Sequence, residues 1–89
     1  MNELRLEVAQ RLAHDALRSG DAPHALALSE EMIAYDPCDE TARHIAISAH
    51  LLIGDRGAAL RQYRQYRDTL LAELQAEPSN ELKNLVGLA

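Results

Sequence analysis

The 89-residue sequence has no tryptophan, no phenylalanine and a single cysteine, Cys38. One cysteine cannot form a disulfide within the chain, which is typical of proteins in a reducing cytosol. The sequence also lacks an N-terminal apolar stretch of signal-peptide length, and no run approaches the roughly 20 apolar residues of a membrane span. We therefore expect a soluble, cytoplasmic chain with no membrane segment.

Positive charge is scarce. The sequence has nine lysines and arginines and fourteen aspartates and glutamates, so the formal net charge is −5 at pH 7. Proteins that neutralise nucleic-acid phosphates usually carry a basic face. We therefore expect no direct nucleic-acid binding by this segment.

Motifs for catalysis and metal binding are also missing. The sequence contains no Gly-rich phosphate loop, no Ser/His/Asp order and no HExxH. The four histidines, at positions 14, 24, 44 and 50, lie on different predicted helices or helix faces and lack the spacing of a zinc site. We predict that the chain is not an enzyme and has no cofactor or metal, and we interpret Cys38 as an incidental loop residue rather than a reactive thiol.

What the sequence does contain is apolar residues at helical spacing, interrupted by helix-terminating residues. Leu and Ala favour helices, and no segment alternates with period two for long enough to form a strand. The pattern predicts an all-α protein with helices at about 2–18, 22–35, 39–53, 56–75 and 80–88. Asp21 and Asp55, each following a glycine, fit as N-caps, and Asp39 and Arg43 are spaced as an i,i+4 ion pair.

The sequence around one predicted turn occurs twice, 34 residues apart. The matching pairs are Leu17/Leu51, Gly20/Gly54, Asp21/Asp55, Ala25/Ala59 and Leu26/Leu60. A helix–turn–helix unit of this length is similar to the tetratricopeptide repeat. The resemblance implies a single domain over 1–89, a right-handed superhelix of two helical hairpins plus a short C-terminal helix. Repeat one covers about 6–39, repeat two about 40–73, and the terminal helix about 80–88.

Two positions of that repeat carry further information. Ala25 and Ala59 occupy the place of the small residue that lets two helices approach closely. Where the repeat usually has an aromatic residue in its first helix, this chain has Ala9 and Arg43. The two repeats are therefore divergent members of that pattern.

The stretch AALRQYRQYRDTLLAELQAEPSNEL (58–82) resembles the bacterial transcriptional activator domain, the helical repeat domain of antibiotic-regulatory-protein-type bacterial transcription regulators. That family shows an Ala-Leu pair, a tyrosine three residues later, a long Leu-rich helix, and Glu-Pro-Ser before a terminal helix. Here these are Ala59-Leu60, Tyr63, Leu70 to Leu74, and Glu77-Pro78-Ser79. The family often has glycine where Gln75 stands, so we expect a less sharply broken helix end.

In that family a winged-helix DNA-binding domain usually precedes this domain. The chain is therefore either a piece of a larger regulator or a short stand-alone relative. The resemblance also implies that the first helix of each hairpin lines a concave, protein-binding groove. The expected groove residues are Gln10, His14, Leu17, Thr41, His44, Ser48 and Leu51. This set lacks the Lys/Asn/Arg combination that would clamp a C-terminal carboxylate.

The stretch RQYRQYR (61–67) allows two interpretations. In the first, Arg61, Arg64 and Arg67 form a basic ridge that contacts phosphates beside exposed tyrosines. In the second, which we favour for an acidic domain, Tyr63 and Tyr66 pack in the core and the arginines form a solvated, salt-bridged edge.

These observations predict a non-enzymatic protein–protein interaction domain of a bacterial transcriptional regulator. It would act by dimerisation, by docking to adjacent domains or by contact with the transcription machinery. The alternatives are a generic tetratricopeptide adaptor unconnected to transcription and a direct nucleic-acid binder. We also expect Leu4, Leu6 and Val8 to form an apolar patch that an adjacent domain or a second copy, as in a homodimer, covers.

Overall fold

The computed structural model describes residues 2–87, which form five α-helices and no strand. The helices are α1 (Glu3–Arg18), α2 (Ala22–Tyr35), α3 (Glu40–Ile53), α4 (Arg56–Leu74) and α5 (Asn80–Leu85). The predicted all-α class is confirmed, and the ends of the first four helices agree with the prediction to within one residue. The prediction for the last helix was too long, because Gly87 takes a left-handed φ of 79° two residues after α5 ends. Residue 88 lies outside the described residues.

A side chain caps the N-terminus of every one of these five helices by accepting a hydrogen bond from a backbone N–H of the first turn, which satisfies a donor that the helix itself cannot. The caps are Asn2, Asp21, Asp39, Asp55 and Ser79. Asp21 and Asp55 act as predicted. Asp39, expected inside the first turn of α3, is its cap instead.

The two glycine turns have the same geometry. Gly20 and Gly54 have φ angles of 80° and 90°, in the left-handed region where glycine carries no Cβ penalty. The next residue then donates its backbone N–H across the turn: Asp21 to the carbonyl of Ala16 at 2.8 Å, and Asp55 to that of His50 at 2.9 Å. The repeated sequence therefore forms the same chain reversal at both places.

The helices pack in chain order. α2 lies against both α1 and α3, α4 lies against α3, and α1 and α3 also touch. Two helical hairpins packed side by side are compatible with the tetratricopeptide-like arrangement, whose superhelical handedness stays a prediction. Within residues 2–87, no helix combines the length and hydropathy needed to cross a membrane.

The interior consists of two apolar clusters. The first joins α1, α2 and α3 and is rich in alanine, whereas the second joins α3, α4 and α5 around Ile47, Tyr63 and Tyr66. Ala25 and Ala59 are buried in the first and second cluster respectively, as expected of close helix contacts. Short side chains at these points reduce the distance between helix axes.

The outer side of α1 is more exposed than its apolar sequence suggests. Leu4 is 71% exposed, Val8 49% and Leu12 44%. Leu6, which we expected in the same patch, packs against the first cluster instead. The apolar patch on α1 therefore consists of Leu4, Val8 and Leu12, which we call the α1 ridge.

Candidate protein-binding groove

A groove of about 290 Å³ lies between α1, α3 and α5. Its lining consists of His14 from α1, Glu40, Thr41 and His44 from the first turns of α3, and Glu81 from α5. Three of the seven predicted groove residues, His14, Thr41 and His44, are thereby brought together from both hairpins. α1 and α3 lie next to each other, so a short part of each helix forms one wall of the groove.

The other four predicted groove residues lie outside this lining. Leu17 packs against the first apolar cluster and Leu51 against the second. Gln10 and Ser48 are half-buried, and the Ser48 hydroxyl lies 3.4 Å from Nδ1 of His44. These four residues are therefore not part of this lining, and their assignment to a binding surface stays a prediction.

Glu40 joins the groove to the segment between α4 and α5. Its carboxylate accepts hydrogen bonds from the backbone N–H of Ser79 at 3.1 Å, from the Ser79 hydroxyl and from the Tyr66 hydroxyl at 3.3 Å. Sequence reasoning missed this role, since Glu40 showed only the ordinary preference of acidic residues for a first helical turn. Its partners stand 26 and 39 residues away in the chain.

The terminal helix forms the far wall of the groove. Glu81 Oε1 lies 3.7 Å from Nε2 of His44, an ion pair when that histidine is protonated. Two apolar residues, Leu82 and Val86, anchor the segment because both are fully buried in the second cluster. Arg56 completes the attachment by donating from Nη2 to the carbonyl of Val86 at 2.8 Å.

The Glu-Pro-Ser break therefore has a structural explanation. Pro78 is buried, and Ser79 both caps α5 and donates to Glu40. With this break explained, the comparison with known proteins identifies the domain. A model of the bacterial transcriptional activator domain family matches residues 1–87.

The chain belongs to this family. Bacterial transcriptional activator domains are domains of transcription regulators and do not form an enzyme family. A search of curated proteins and a search of solved structures found no significant match.

Arg43 has an unexpected place in this activator domain. It is almost completely buried, and it does not pair with Asp39, so the predicted i,i+4 pair is wrong. Its guanidinium instead donates to the carbonyl of Pro37 and to the side-chain oxygens of Gln62 and Gln65. Desolvation on burial lowers the pKa of Arg43.

Arg43 also links its helix to an aromatic ring of α4. The centre of the guanidinium lies 5.6 Å from the centroid of the Tyr66 ring, within cation–π distance. Burial raises the pKa of Tyr66, and the neighbouring Glu40 carboxylate raises it further. The tyrosine therefore stays neutral and continues to donate its hydroxyl proton to Glu40.

The segment RQYRQYR agrees with the second interpretation of its tyrosines. Tyr63 and Tyr66 are both buried in the second cluster, so neither presents a ring for stacking on a base. The arginines spread over an arc of about 120° around α4, because each step of three residues rotates the side chain by about 300°. Arg61 lies in a shallow depression beside His50, Arg64 is exposed, and Arg67 pairs with Asp68 at 3.1 Å.

Histidine, cysteine and carboxylate side chains are the potential metal ligands in the part of the domain that the structure describes. Within residues 2–87, no group of three or more histidine, cysteine, aspartate or glutamate side chains is positioned to hold a metal ion. Cys38 is half-buried at the turn between α2 and α3. The groove between α1, α3 and α5 presents two imidazoles, two carboxylates and a hydroxyl.

Proposed function

We propose that this activator domain works by protein–protein contact in the bacterial cytoplasm, and that the groove between α1, α3 and α5 is its binding surface. The occupant is an exposed peptide segment of another domain of the same regulator or of the transcription machinery. The observation that carries the proposal is the convergence of His14, Thr41 and His44 from two hairpins onto one groove closed by the terminal helix.

The chemistry of the lining indicates the kind of segment. Two carboxylates, Glu40 and Glu81, accompany two imidazoles and a hydroxyl, and the lining contains no lysine or arginine. Such a groove accepts hydrogen bonds from lysine or arginine side chains and repels phosphates and free C-terminal carboxylates. This supports a basic peptide as the partner and argues against a nucleic-acid backbone. Family membership favours a role in transcription over a generic adaptor.

The experiment is site-specific photo-crosslinking of the full-length gene product in its own bacterium. A photoreactive residue at Thr41, which is exposed in the groove, is compared with one at Ala27, which is exposed on α2. We expect a discrete polypeptide adduct from position 41, identified by mass spectrometry, and none from position 27. A second substitution in the groove, Glu81→Arg, should abolish the adduct from position 41, and Thr41→Arg should change the transcripts of the regulated genes.

Three results would contradict the proposal. They are an identical adduct from both positions, an adduct with nucleic acid at position 41, and unchanged transcripts in the Thr41→Arg strain.

A further inference from the structure

A depression of about 370 Å³ lies between α3 and α4 and shares no lining residue with the groove. It is lined by His50, from the last turn of α3, and by Ala58, Arg61, Gln62 and Gln65 of α4. This lining contains an arginine, an imidazole and two carboxamides, and it contains no carboxylate. Its charge is therefore opposite to that of the groove, whose lining has two carboxylates and no lysine or arginine.

A buried positive charge adjoins this depression. Arg43 is 2% exposed, and its Nη1 donates to the side-chain oxygens of Gln62 and Gln65. Its other hydrogen bonds go to the carbonyl of Pro37, and no carboxylate within residues 2–87 forms an ion pair with it. A buried charge is screened less than one in water. The guanidinium therefore favours an anion at the neighbouring surface.

The hydrogen bonds from Arg43 also determine which way the two carboxamides face. A guanidinium offers only donors, so Gln62 and Gln65 each turn an oxygen toward Arg43 and the Nε2 group away from it. Neither Nε2 group donates to an acceptor within residues 2–87. Gln62 is half-buried and Gln65 is exposed, so both groups are available to a ligand in the depression that these side chains line.

Arg61 adds an exposed positive charge to these donors. Its side chain takes part in no ion pair among the residues that the structure describes. Asp55, the carboxylate at the start of α4, is engaged as the helix cap and accepts from the backbone N–H of Ala58 at 2.9 Å. The depression thus combines one free guanidinium and two free carboxamide donors.

We propose that this depression binds an acidic segment of a protein partner, whose carboxylates accept hydrogen bonds from Arg61, Gln62 and Gln65. Arg61 and Gln65 stand about 6 Å apart along α4. Side chains two residues apart on an extended peptide have a similar separation of roughly 7 Å. One peptide with two such acidic residues therefore spans the donors. Buried Tyr63 and Tyr66 leave no ring for a base to stack on, which favours a peptide over a single-stranded nucleic acid.

Nuclear magnetic resonance titration of the 89-residue chain with terminally blocked hexaglutamate, at about 0.15 M salt, tests the proposal. The side-chain amide signals of Gln62 and Gln65 should shift and reach half-saturation at about 10⁻³ M peptide. Blocked hexalysine should leave these signals in place. Arg61→Glu should weaken binding at least about tenfold, because it replaces a charged donor by a like charge. The matched control Arg64→Glu, at an exposed position of the same helix, should change it by less than about threefold.

A second pair of variants tests the contribution of Arg43. Gln65→Glu keeps an acceptor for Arg43, removes the outward donors and supplies the carboxylate that Arg43 lacks. It should also weaken hexaglutamate binding at least about tenfold. Its control is Gln75→Glu, the same change at the exposed end of α4, which should leave binding within about twofold of the parent. Circular dichroism of all four variants verifies that the helices are retained.

Four results would overturn the proposal. They are unshifted Gln62 and Gln65 amides up to about 10⁻² M hexaglutamate, equal shifts with hexalysine, equal weakening by Arg61→Glu and Arg64→Glu, and tighter binding of a short DNA duplex than of hexaglutamate at the same signals. The last result would assign the depression to nucleic acid. A failed cross-link from position 41 would bear on the groove alone, because the two sites share no residue.

Discussion

The guanidinium of Arg43 donates two hydrogen bonds to the carbonyl oxygen of Pro37, from Nε at 3.3 Å and from Nη2 at 3.1 Å. The remaining nitrogen, Nη1, reaches Gln62 and Gln65 on α4. One buried side chain thus ties the turn between α2 and α3 to the last long helix. Arginine suits this role because its planar fork holds several donors in fixed directions.

Arg43→Lys should lower the free energy of unfolding by about 2–4 kcal/mol, because a lysine cannot reproduce the fork of hydrogen bonds and places a strongly hydrated ammonium at a buried position. Urea denaturation followed by circular dichroism measures the change. The control, Arg64→Lys, changes an exposed arginine of α4 and should stay within about 0.5 kcal/mol of the parent. Equal losses in the two variants would contradict the assigned role of Arg43.

Ser79→Ala should loosen α5. The substitution removes the helix cap and a donor to Glu40, which together contribute about 1–2 kcal/mol. We expect hydrogen exchange of the backbone amides of residues 82–86 to accelerate while that of α1 and α2 stays unchanged. In the control Ser48→Ala, which removes a hydroxyl near His44, the amides of α5 should keep their protection. Uniform acceleration across the domain would show that Ser79 has no local role.

Ala25→Leu should destabilise the domain by about 1–3 kcal/mol, because Ala25 is fully buried between closely packed helices and a larger side chain overpacks the cluster. The matched control is Ala27→Leu, two residues along the same helix at an exposed position, where the change should be within about 0.5 kcal/mol. Thermal unfolding compares the two. Tolerance of leucine at position 25 would mean that the helices are not held close there.

Gln75→Gly should stabilise the domain by about 0.5–1 kcal/mol. Gln75 caps the C-terminus of α4 with a φ of 51°, a left-handed conformation that glycine adopts without strain. Glu73→Gly, placed inside the same helix, should instead lower the stability by about 1 kcal/mol. If both substitutions destabilise by the same amount in urea denaturation, the left-handed cap carries no strain.

Alkaline pH should destabilise the domain through Tyr66. Burial raises its pKa in the folded chain above the value of about 10 that an unfolded chain has. The folded state then keeps a proton that the unfolded state loses, so the free energy of unfolding falls as the pH rises above about 10. Urea denaturation at pH 9 and 10.5 should show a smaller fall for Tyr66→Phe than for the parent. An equal fall would show that another group causes it.

The helices, two of their five N-caps and the glycine turns could be predicted because each depends on residues within about five positions of one another. Asp21 and Asp55 cap the helices that they precede, and Gly20 and Gly54 reverse the chain where expected. The end of α4 is an informative exception. We expected a less sharply broken helix end at Gln75. Instead α4 ends in a left-handed cap on this non-glycine residue, and the backbone N–H groups of Gln75 and Ala76 donate to carbonyls of α4.

The candidate site could be predicted only in part. The resemblance to the tetratricopeptide repeat implied that His14, Thr41 and His44 line one groove, and the structure brings these three side chains together. It did not reveal Glu40 or Glu81, because their contribution depends on where α5 returns to the body of the domain. We also expected Leu6, and not Leu12, in the exposed apolar patch of α1. Both are apolar residues of this helix, and only the helices packed against α1 decide which of them is covered.

The sequence by itself determined the five helices, the ends of the first four, the close alanine contacts and membership of the bacterial transcriptional activator domain family. These follow from backbone hydrogen bonding, side-chain size and motif spacing, which act over short stretches of chain. The tertiary structure decided the partners of Arg43 and Glu40, the exposed side of α1 and the closing of the groove by α5. These contacts join residues up to 39 positions apart, and only the packing of whole helices brings such side chains within bonding distance.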